Sequence, residues 1–217
     1  MGMVDVKAKI LEKNYSKAAV LRDKFKNTCV LNFVSSPGSG KTSILEKVLV
    51  MFKDKYKLAV VEGDQQTTND ADRIEATGVT AYQVNTGRAC HLEATDVEKA
   101  MAELGYDLDL LIIENVGNLV CPSQFDLGED AKVIVLSTTE GDDKPIKYPV
   151  MFRVGSSFII NKTDLLPYVE FDVDKCIGYA KGVNPELEVF QASCKTGEGL
   201  EEIAAYIEGM IAKKKNA

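Results

Sequence analysis

The stretch SSPGSGKT at 35–42 has the residue types of a phosphate-binding loop. Its glycines let the backbone curl so that several N–H groups face one anion, and a helix starting near Lys41 adds its positive end. The common phosphate-loop pattern has a glycine where this chain has Ser35, which is a mild departure. We expect Lys41 to reach the β- and γ-phosphates of a nucleotide and the Thr42 hydroxyl to bind Mg²⁺. The predicted phosphate contacts are Gly38, Ser39, Gly40, Lys41, Thr42 and Ser43.

The stretch NKTD, which follows the apolar run SFII, has the residue types of a guanine-binding loop. Asp164 can accept hydrogen bonds from the ring N–H and the exocyclic amino group of guanine, a donor pair that adenine lacks. Asn161 would hold the loop or contact the purine, and the stem of Lys162 would lie along the base. These placements resemble a GTPase, in which a further loop brings a backbone N–H near the base oxygen, and they predict GTP and GDP as nucleotides. That further loop is predicted at SCKTGEG, with Ser193, Cys194 and Lys195.

Two acidic strand ends are candidates for holding the metal and the attacking water. VVEGD ends at Asp64, and LLIIENVGN carries Glu114 and Gly117. We expect Thr42, Asp64 and Glu114 to surround Mg²⁺, although Asp64 can also be an ordinary turn residue. The Gly117 N–H is predicted to contact the γ-phosphate and, with Lys41, to complete the catalytic set. Because no glutamine stands near Gly117 to orient water, we predict slow intrinsic hydrolysis of GTP, controlled by dimerisation or a partner.

The adjacent pair Cys90 and His91, together with Cys121, has the residue types of a soft-metal site. Thiolates and one imidazole favour ions such as Ni²⁺ and Zn²⁺. His91 is the only histidine of the chain, and no C-x-x-C spacing is present among these residues. Spacing alone therefore leaves two alternatives open: a metal site, or apolar cysteines beside a histidine with ordinary hydrogen bonds.

From about Cys29 to the C-terminus, the chain resembles the HypB type of nickel-incorporation GTPase of [NiFe]-hydrogenase maturation. Five stretches carry the resemblance: SSPGSGKT, NTGRACHLEA, IIENVGNLVCP, STTEGDDKPIKYP and NKTDLLPY. It implies that Cys90, His91 and Cys121 bind Ni²⁺ or Zn²⁺ at an interface of a homodimer that forms on GTP. It also implies a HypA-type metallochaperone as partner and the hydrogenase large subunit as recipient. Because no C-x-x-C-G-C motif or histidine tract precedes Cys29, tight N-terminal nickel binding is not expected.

The spacing of Gly117 and Cys121 predicts a mechanical link between nucleotide and metal. A γ-phosphate that pulls on this segment would move a metal ligand, so the two affinities would be reciprocally linked. Three ligands per chain leave a metal under-coordinated, and a second chain, water or a partner would complete its shell.

Other protein classes remain as alternatives. Accessory GTPases of similar build serve urease or cobalamin-dependent mutases, but the urease type carries Cys-x-His, whereas Cys90 and His91 are contiguous. A phosphotransferase kinase with the same loop is disfavoured by NKTD, because a kinase needs no guanine contact. A passive metal-binding protein with a vestigial nucleotide site is the last alternative.

Alternating strand and helix patterns position these motifs. Short apolar runs typical of buried parallel strands alternate with amphipathic stretches, which predicts a doubly wound, mostly parallel sheet with helices on both faces. This is the phosphate-loop NTPase fold, with its site at the carboxyl ends of the strands. We predict one domain over 1–217 and an N-terminal amphipathic helix from Asp5 to Phe25, at about 5–26, packed across the core. Within the domain, a helix is predicted from HLEATDVEKAMAEL, which starts at His91.

Composition excludes several function classes. A net charge of -7 and a pI of about 4.9 argue against nucleic-acid binding, which needs clustered lysine and arginine. No apolar run reaches the ~18–20 residues that span a bilayer, and the N-terminus lacks the apolar core of a signal peptide. We therefore predict a cytoplasmic protein without membrane partners, in which Cys29 and Cys176 are core residues. The stretch TTEGDDKPIKYP is predicted to be a solvated loop, from which Lys144 or Lys147 would reach the phosphates of a neighbouring subunit.

Overall fold

The computed structural model describes residues 6–64 and 69–216, and within them it contains one seven-stranded sheet. Its strands are β1 Cys29–Ser35, β2 Leu58–Asp64, β3 Thr80–Asn85, β4 Leu110–Glu114, β5 Ala131–Ser137, β6 Ser157–Asn161 and β7 Glu188–Ala192. They pair in parallel in the order β3-β2-β4-β1-β5-β6-β7. The predicted doubly wound, parallel sheet is confirmed.

Helices cover both faces of the sheet. They are α1 Val6–Lys24, α2 Lys41–Phe52, α3 Asn69–Glu75, α4 Ala94–Leu104, α5 Lys144–Lys147, α6 Pro149–Val154, α7 Val173–Val183 and α8 Leu200–Lys215. Leu31 and Phe33 of β1 pack with α2 and α8, whereas Val30 packs with α1 and α4 on the opposite face. This alternation follows from the two-residue period of a strand and explains why β1 is mostly apolar and is buried along its whole length. Among the described residues, no helix is long and apolar enough to cross a membrane.

The N-terminal helix packs against the core, but only part of its predicted apolar face is buried. Steps of three and four along the sequence predict that Tyr15, Ala18, Leu21 and Phe25 lie on one buried face. Ala18, Leu21 and Phe25 are fully buried, whereas Tyr15 is 49% exposed. Asn14 takes the buried position instead and is only 4% exposed. The predicted start at Asp5 lies outside the described residues.

Two predictions for the other helices were wrong. α4 begins at Ala94 rather than at His91, because the carboxylate of Asp96 accepts the Glu93 N–H at 3.1 Å and ends the preceding loop there. Within the stretch predicted as a solvated loop, residues 144–147 instead form α5 and Pro149 begins α6, and Pro145 is buried. Of the five cysteines, those predicted in the core are indeed buried: Cys29 and Cys176.

Candidate nucleotide and metal site

The phosphate loop at 35–42 connects β1 to α2. Gly38 and Gly40 have φ angles of +73° and +92°, a left-handed conformation that glycine adopts without strain. A Cβ on Gly40 would also collide with the side-chain amide of Asn161. α2 begins at Lys41, so its unpaired N–H groups and positive end face the loop. The loop thus has the backbone shape and polarity that an anion needs.

Lys41 and Thr42 share one carboxylate partner. Lys41 Nζ lies 3.3 Å from Oε1 of Glu114, and the Thr42 hydroxyl donates to the same oxygen at 2.8 Å. A cavity of about 580 Å³ lies beside the loop, and its lining includes Lys41, Thr42, Gly117 and Cys90. The structure therefore brings residues predicted for phosphate, Mg²⁺ and the soft metal around one space.

Glu114 has two acidic neighbours that were not predicted. Glu62 of β2 lies opposite Glu114 in the parallel register, and ligand atoms of Glu62, Asp70 and Glu114 lie within 4.8 Å of one another. Burial, and after it the charge of Glu114, raises the pKa of Glu62 to about 11. Both carboxylates also have one buried oxygen without a hydrogen-bond partner among the described residues. Such oxygens fit Mg²⁺, a hard cation.

Of the two acidic residues that were not predicted, one could have been recognised from the sequence and the other could not. Glu62 stands inside the apolar strand run KLAVVEG, and a charged residue there was a usable signal. Asp70 belongs to no motif, and only the fold brings it to the site. Asp64 lines the same cavity, and its contact with Mg²⁺ stays a prediction.

The predicted guanine-binding loop is fixed to the phosphate loop. The Asn161 side chain donates to the Ser39 carbonyl at 2.9 Å, and Lys162 Nζ donates to the Gly38 carbonyl at 2.7 Å. Lys162 has a φ of 63°, the one positive value on a non-glycine residue in the described part of the chain. This unusual backbone turns the Lys162 stem across the loop, where a base would stack.

Asp164 is oriented by the second base-side loop. The Ser193 hydroxyl donates to Asp164 Oδ1 at 2.6 Å and accepts the Lys195 N–H at 3.2 Å. Cys194 Sγ lies 3.8 Å from Oδ1 of Asn161. All six residues predicted for the base side therefore belong to two adjoining loops, and the guanine contact itself stays a prediction.

Gly117 lies directly against the phosphate loop. A Cβ at this position would lie 3.0 Å from Cα and 3.1 Å from N of Pro37. These distances leave no room for a side chain without a shift of the backbone. The segment 114–118, which we call the sensor segment, therefore touches the loop where the terminal phosphate is predicted.

Cys90, His91 and Cys121 come together, with one ligand atom from each within 4.8 Å of the others. The Cys90 and Cys121 sulfurs are 2.9 Å apart, and Cys90 Sγ lies 3.8 Å from Nδ1 of His91. Burial lowers the pKa of His91, and this effect is larger than that of the Glu93 and Asp96 charges, which raise the pKa. The imidazole is thus kept in the neutral form that binds metals. Its Nε2 is buried without a hydrogen-bond partner among the described residues, so the group has open ligand capacity.

Two asparagines of the sensor segment hold the loop that carries Cys90. Asn115 Oδ1 accepts the Leu92 N–H at 3.1 Å, and its Nδ2 donates to Oδ1 of Asn32 at 3.2 Å. Asn118 Nδ2 donates to the Cys90 carbonyl at 3.2 Å. Neither asparagine was singled out from the sequence, because each acts through the backbone of a distant loop.

The chain is similar to a family of known proteins. The family model described as "CobW/HypB/UreG, nucleotide-binding domain" matches residues 29–191. Hydrogenase maturation factor HypB of Azotobacter chroococcum mcd 1 is 54% identical over 209 residues, which cover 95% of this chain and 68% of that protein. The protein of the same name from Escherichia coli (strain K12) is 53% identical over 209 residues, covering 95% of this chain and 72% of that protein. Hydrogenase/urease maturation factor HypB of Helicobacter pylori is 45% identical over 211 residues, covering 94% and 86%.

Solved structures show the same likeness in three dimensions. The crystal structure of HypB from Helicobacter pylori in complex with nickel superposes with a TM-score of 0.87 at 43% identity, covering 94% of this chain and 97% of that chain. The hydrogenase maturation factor HypB from Archaeoglobus fulgidus also has a TM-score of 0.87, at 36% identity and with coverage of 92% and 99%. A LAO/AO transport system kinase, at 18% identity and a TM-score of 0.55, shares the fold alone.

Proposed function

The chain belongs to the CobW/HypB/UreG family of nucleotide-binding domains, and from this premise we propose that it is a GTP-hydrolysing metallochaperone that delivers nickel during [NiFe]-hydrogenase maturation. The proposal rests above all on the sensor segment, residues 114–118. Glu114 faces Lys41 and Thr42, Gly117 touches the phosphate loop, and Cys121 follows within four residues. One short piece of chain thus joins the nucleotide chemistry to the soft-metal ligands.

The nucleotide half of the mechanism begins with an exchange of partners. In this structure the Lys41 ammonium and the Thr42 hydroxyl both contact Glu114. When GTP binds, Lys41 turns to the β- and γ-phosphates, and Thr42 becomes free to bind Mg²⁺. Glu62, Asp70 and Glu114 would hold Mg²⁺ directly or through water, and the bound ion would neutralise the charge that develops on the phosphates during hydrolysis to GDP and phosphate.

The metal half of the mechanism follows from the connections of the sensor segment. A γ-phosphate that draws Gly117 toward it displaces Cys121 through the chain. The same movement displaces Cys90 through the bond from Asn118 and the Leu92 backbone through Asn115. The GTP and GDP states would therefore hold the three ligands at different spacings. The metal would then bind the two states with different affinity, as coupling between nucleotide and metal requires.

A homodimer would complete the metal site. Two thiolates and one imidazole leave at least one position of Ni²⁺ or Zn²⁺ open. Large apolar side chains stand exposed next to Cys121 and on α5 and α6, namely Val120, Ile146 and Val150. A second copy seated on this surface on GTP binding would bring a second set of ligands to the first.

Lys144 and Lys147 would serve the same interface. In this structure Lys144 pairs with Glu140 at 3.4 Å and Lys147 with Asp143 at 2.7 Å. The largely exposed Lys147–Asp143 pair is worth about 0–1 kcal/mol, so Lys147 can turn to a neighbouring subunit's phosphates at little cost, whereas Lys144 would have to leave a partly buried partner. A HypA-type metallochaperone and the hydrogenase large subunit remain the proposed partners.

Urease is a second candidate recipient. It is favoured by one observation, that the Helicobacter pylori relative is named a hydrogenase/urease maturation factor. A cell that makes both enzymes, tested for nickel in each, separates the two recipients.

Restoration of hydrogenase activity in cells that lack their own HypB-type gene tests the proposal. The wild-type chain should restore nickel insertion into the large subunit, whereas Lys41→Ala and Cys121→Ala should not. Cys29→Ala is the matched control and should restore activity. It alters a buried cysteine at the end of β1 that is far from the phosphate loop. Full activity with Lys41→Ala or Cys121→Ala would refute the proposal.

A further inference from the structure

α1 lies over the two segments that carry the soft-metal ligands. Its contacts on one side are with α4, which follows the Cys90 and His91 loop. On the other side, Tyr15 donates to the Gln124 carbonyl at 3.0 Å, and Arg22 forms a double hydrogen bond with Asp126 at 2.7 and 2.9 Å. The segment beyond Cys121 is therefore tied to the same helix as the segment beyond His91.

Asn14 is the one buried polar side chain of α1 in its described part, and it joins both segments. Its Oδ1 accepts the N–H of Ala94 at 2.8 Å, and its Nδ2 donates to the carbonyl of Asp126 at 2.7 Å. The two partners present opposite polarities, a donor and an acceptor. A carboxylate would lose the second bond, and a hydroxyl is too short to bridge both groups, so a side-chain amide is required.

We propose that Asn14 is a positioning residue of the metal site, which sets the distance between the segment carrying His91 and the segment carrying Cys121. The inference rests on the proposed function, because it needs these residues to bind a metal. It goes further by assigning to the N-terminal helix a part in the geometry of the site.

The path from Asn14 to the ligands is short on both sides. Ala94, the first residue of α4, stands three positions after His91. Asp126 follows Phe125, whose ring stacks on the His91 imidazole with centroids 3.8 Å apart. The spacing between Ala94 and Asp126 therefore controls how the imidazole and the Cys121 thiol face each other.

The packing beneath α1 supports a fixed spacing. A Cβ on Gly128 would lie 3.0 Å from Cβ of Leu21 and 3.1 Å from the Ala18 carbonyl, so this loop is pressed against the helix. Without the Asn14 amide, the buried N–H of Ala94 and the partly buried carbonyl of Asp126 would lose their partner, and the two segments would separate to reach water.

Nickel titration of the Asn14→Ala protein in its GDP-bound form tests the inference. Ni²⁺ is titrated against a competing chelator, and the sulfur-to-nickel charge-transfer absorption is recorded. We expect the Ni²⁺ affinity to fall by up to about tenfold, with a changed absorption band, because Asn14 acts one step further from the metal than partners bonded directly to its ligands, whose loss costs about 10–100-fold. Unchanged affinity and an unchanged band in Asn14→Ala would overturn the inference.

A matched control separates positioning from general stability. Thr28, at the amino end of β1, is buried and donates to the Leu108 carbonyl at 2.9 Å, so Thr28→Val also removes a buried bond between distant parts of the chain. Urea unfolding should show both variants destabilised, whereas Thr28→Val should keep its Ni²⁺ affinity within about twofold, because distant sites are independent. An equal loss of affinity in Thr28→Val would overturn the inference.

Two further arms make the result decisive. If Asn14→Ala does not fold, the isosteric Asn14→Asp variant keeps the acceptor for Ala94 and removes only the donor, and its affinity should fall in the same direction. Cys90→Ala is run in parallel. If wild type binds Ni²⁺ no better than Cys90→Ala, the proposed metal function fails, whereas failure at Asn14 alone leaves that function intact.

Discussion

At the scale of single residues, Glu114 is the group whose partners must change when the nucleotide binds. Its Oε1 holds both Lys41 and Thr42, and its neighbour across the sheet is Glu62. Burial, and after it the charge of the neighbouring Glu114, disfavours the ionised form of Glu62, which is why its pKa is raised to about 11. In the proposed function, Mg²⁺ bound beside these carboxylates would favour their ionised forms and so release this proton.

Glu62→Gln should make stability less dependent on pH. In the unfolded chain the Glu62 pKa is near 4.5, and in the folded chain it is about 11. The stabilisation from the bound proton is complete below the lower value and is lost as pH rises toward the higher one. Between pH 6 and 9, the wild-type free energy of unfolding should thus fall more steeply than that of Glu62→Gln, by up to about 1.4 kcal/mol per pH unit.

Urea unfolding without nucleotide or Mg²⁺ measures this difference. Glu103→Gln, an exposed change on α4, serves as the control and should follow the wild type. Parallel curves for wild type and Glu62→Gln would show that Glu62 is ionised in the folded protein.

Some residues of the candidate site could be predicted from the sequence, and others could not. Motifs with fixed spacing, such as SSPGSGKT and NKTD, identified side chains that the fold does bring together. Asp70, Asn14 and Asn118 could not be found in this way. Each acts on a partner that is distant in sequence, and an isolated asparagine or aspartate has no pattern that distinguishes it from a surface residue.

At the scale of elements, the sensor segment is the part on which both halves of the site depend. It leaves β4 at Glu114, passes the phosphate loop at Gly117 and leads into the short helical turn Cys121–Ser123. The close approach of Gly117 to Pro37 makes the segment sensitive to any added volume.

Gly117→Ala should weaken binding of a GTP analogue more than binding of GDP, because the new methyl group pushes the segment away from the γ-phosphate. A loss of about tenfold in the ratio of the two affinities is expected if one phosphate contact is lost. Gly178→Ala, within α7, is the matched control, since a Cβ there meets nothing within 4 Å. Fluorescent-nucleotide titration gives both affinities, and an unchanged ratio in Gly117→Ala would argue against the γ-phosphate contact.

Element types were predicted well where the apolar period was clear and poorly where it was not. The strands of the sheet follow continuous apolar runs, and their order is as expected for a doubly wound fold. α5 and α6 were missed because each is short and begins with proline in its first turn, within a charged stretch. Their burial depends on contacts with α7 that no local pattern reveals.

At the scale of the whole molecule, the exposed apolar surface around Val120, Ile146 and Val150 is the predicted contact between two copies. Val120 is 52% exposed and immediately precedes Cys121, a proposed metal ligand. Association through this surface would bury these side chains and bring together the proposed metal ligands of the two copies. Formation of the dimer would therefore depend on both metal and nucleotide.

Val120→Asp should prevent this association. With Ni²⁺ and a non-hydrolysable GTP analogue, light scattering should give a dimer for the wild type and a monomer for Val120→Asp, because a carboxylate would be buried without a partner. Val20→Asp, on α1 at a similar exposure of 47%, is the control and should still dimerise. A dimer of Val120→Asp as tight as that of wild type would place the contact elsewhere.

In the proposed function, the sensor segment links the terminal phosphate to the metal ligands, and this link can be tested by the Ni²⁺ affinity measured in two nucleotide states. The Ni²⁺ dissociation constant should differ at least about fivefold between GDP-bound and GTP-analogue-bound protein. The GTP-analogue affinity, relative to GDP, should change by the same factor when Ni²⁺ is added, as thermodynamic linkage requires. Equal Ni²⁺ affinities in the two nucleotide states would show that the sensor segment does not couple the nucleotide to the metal.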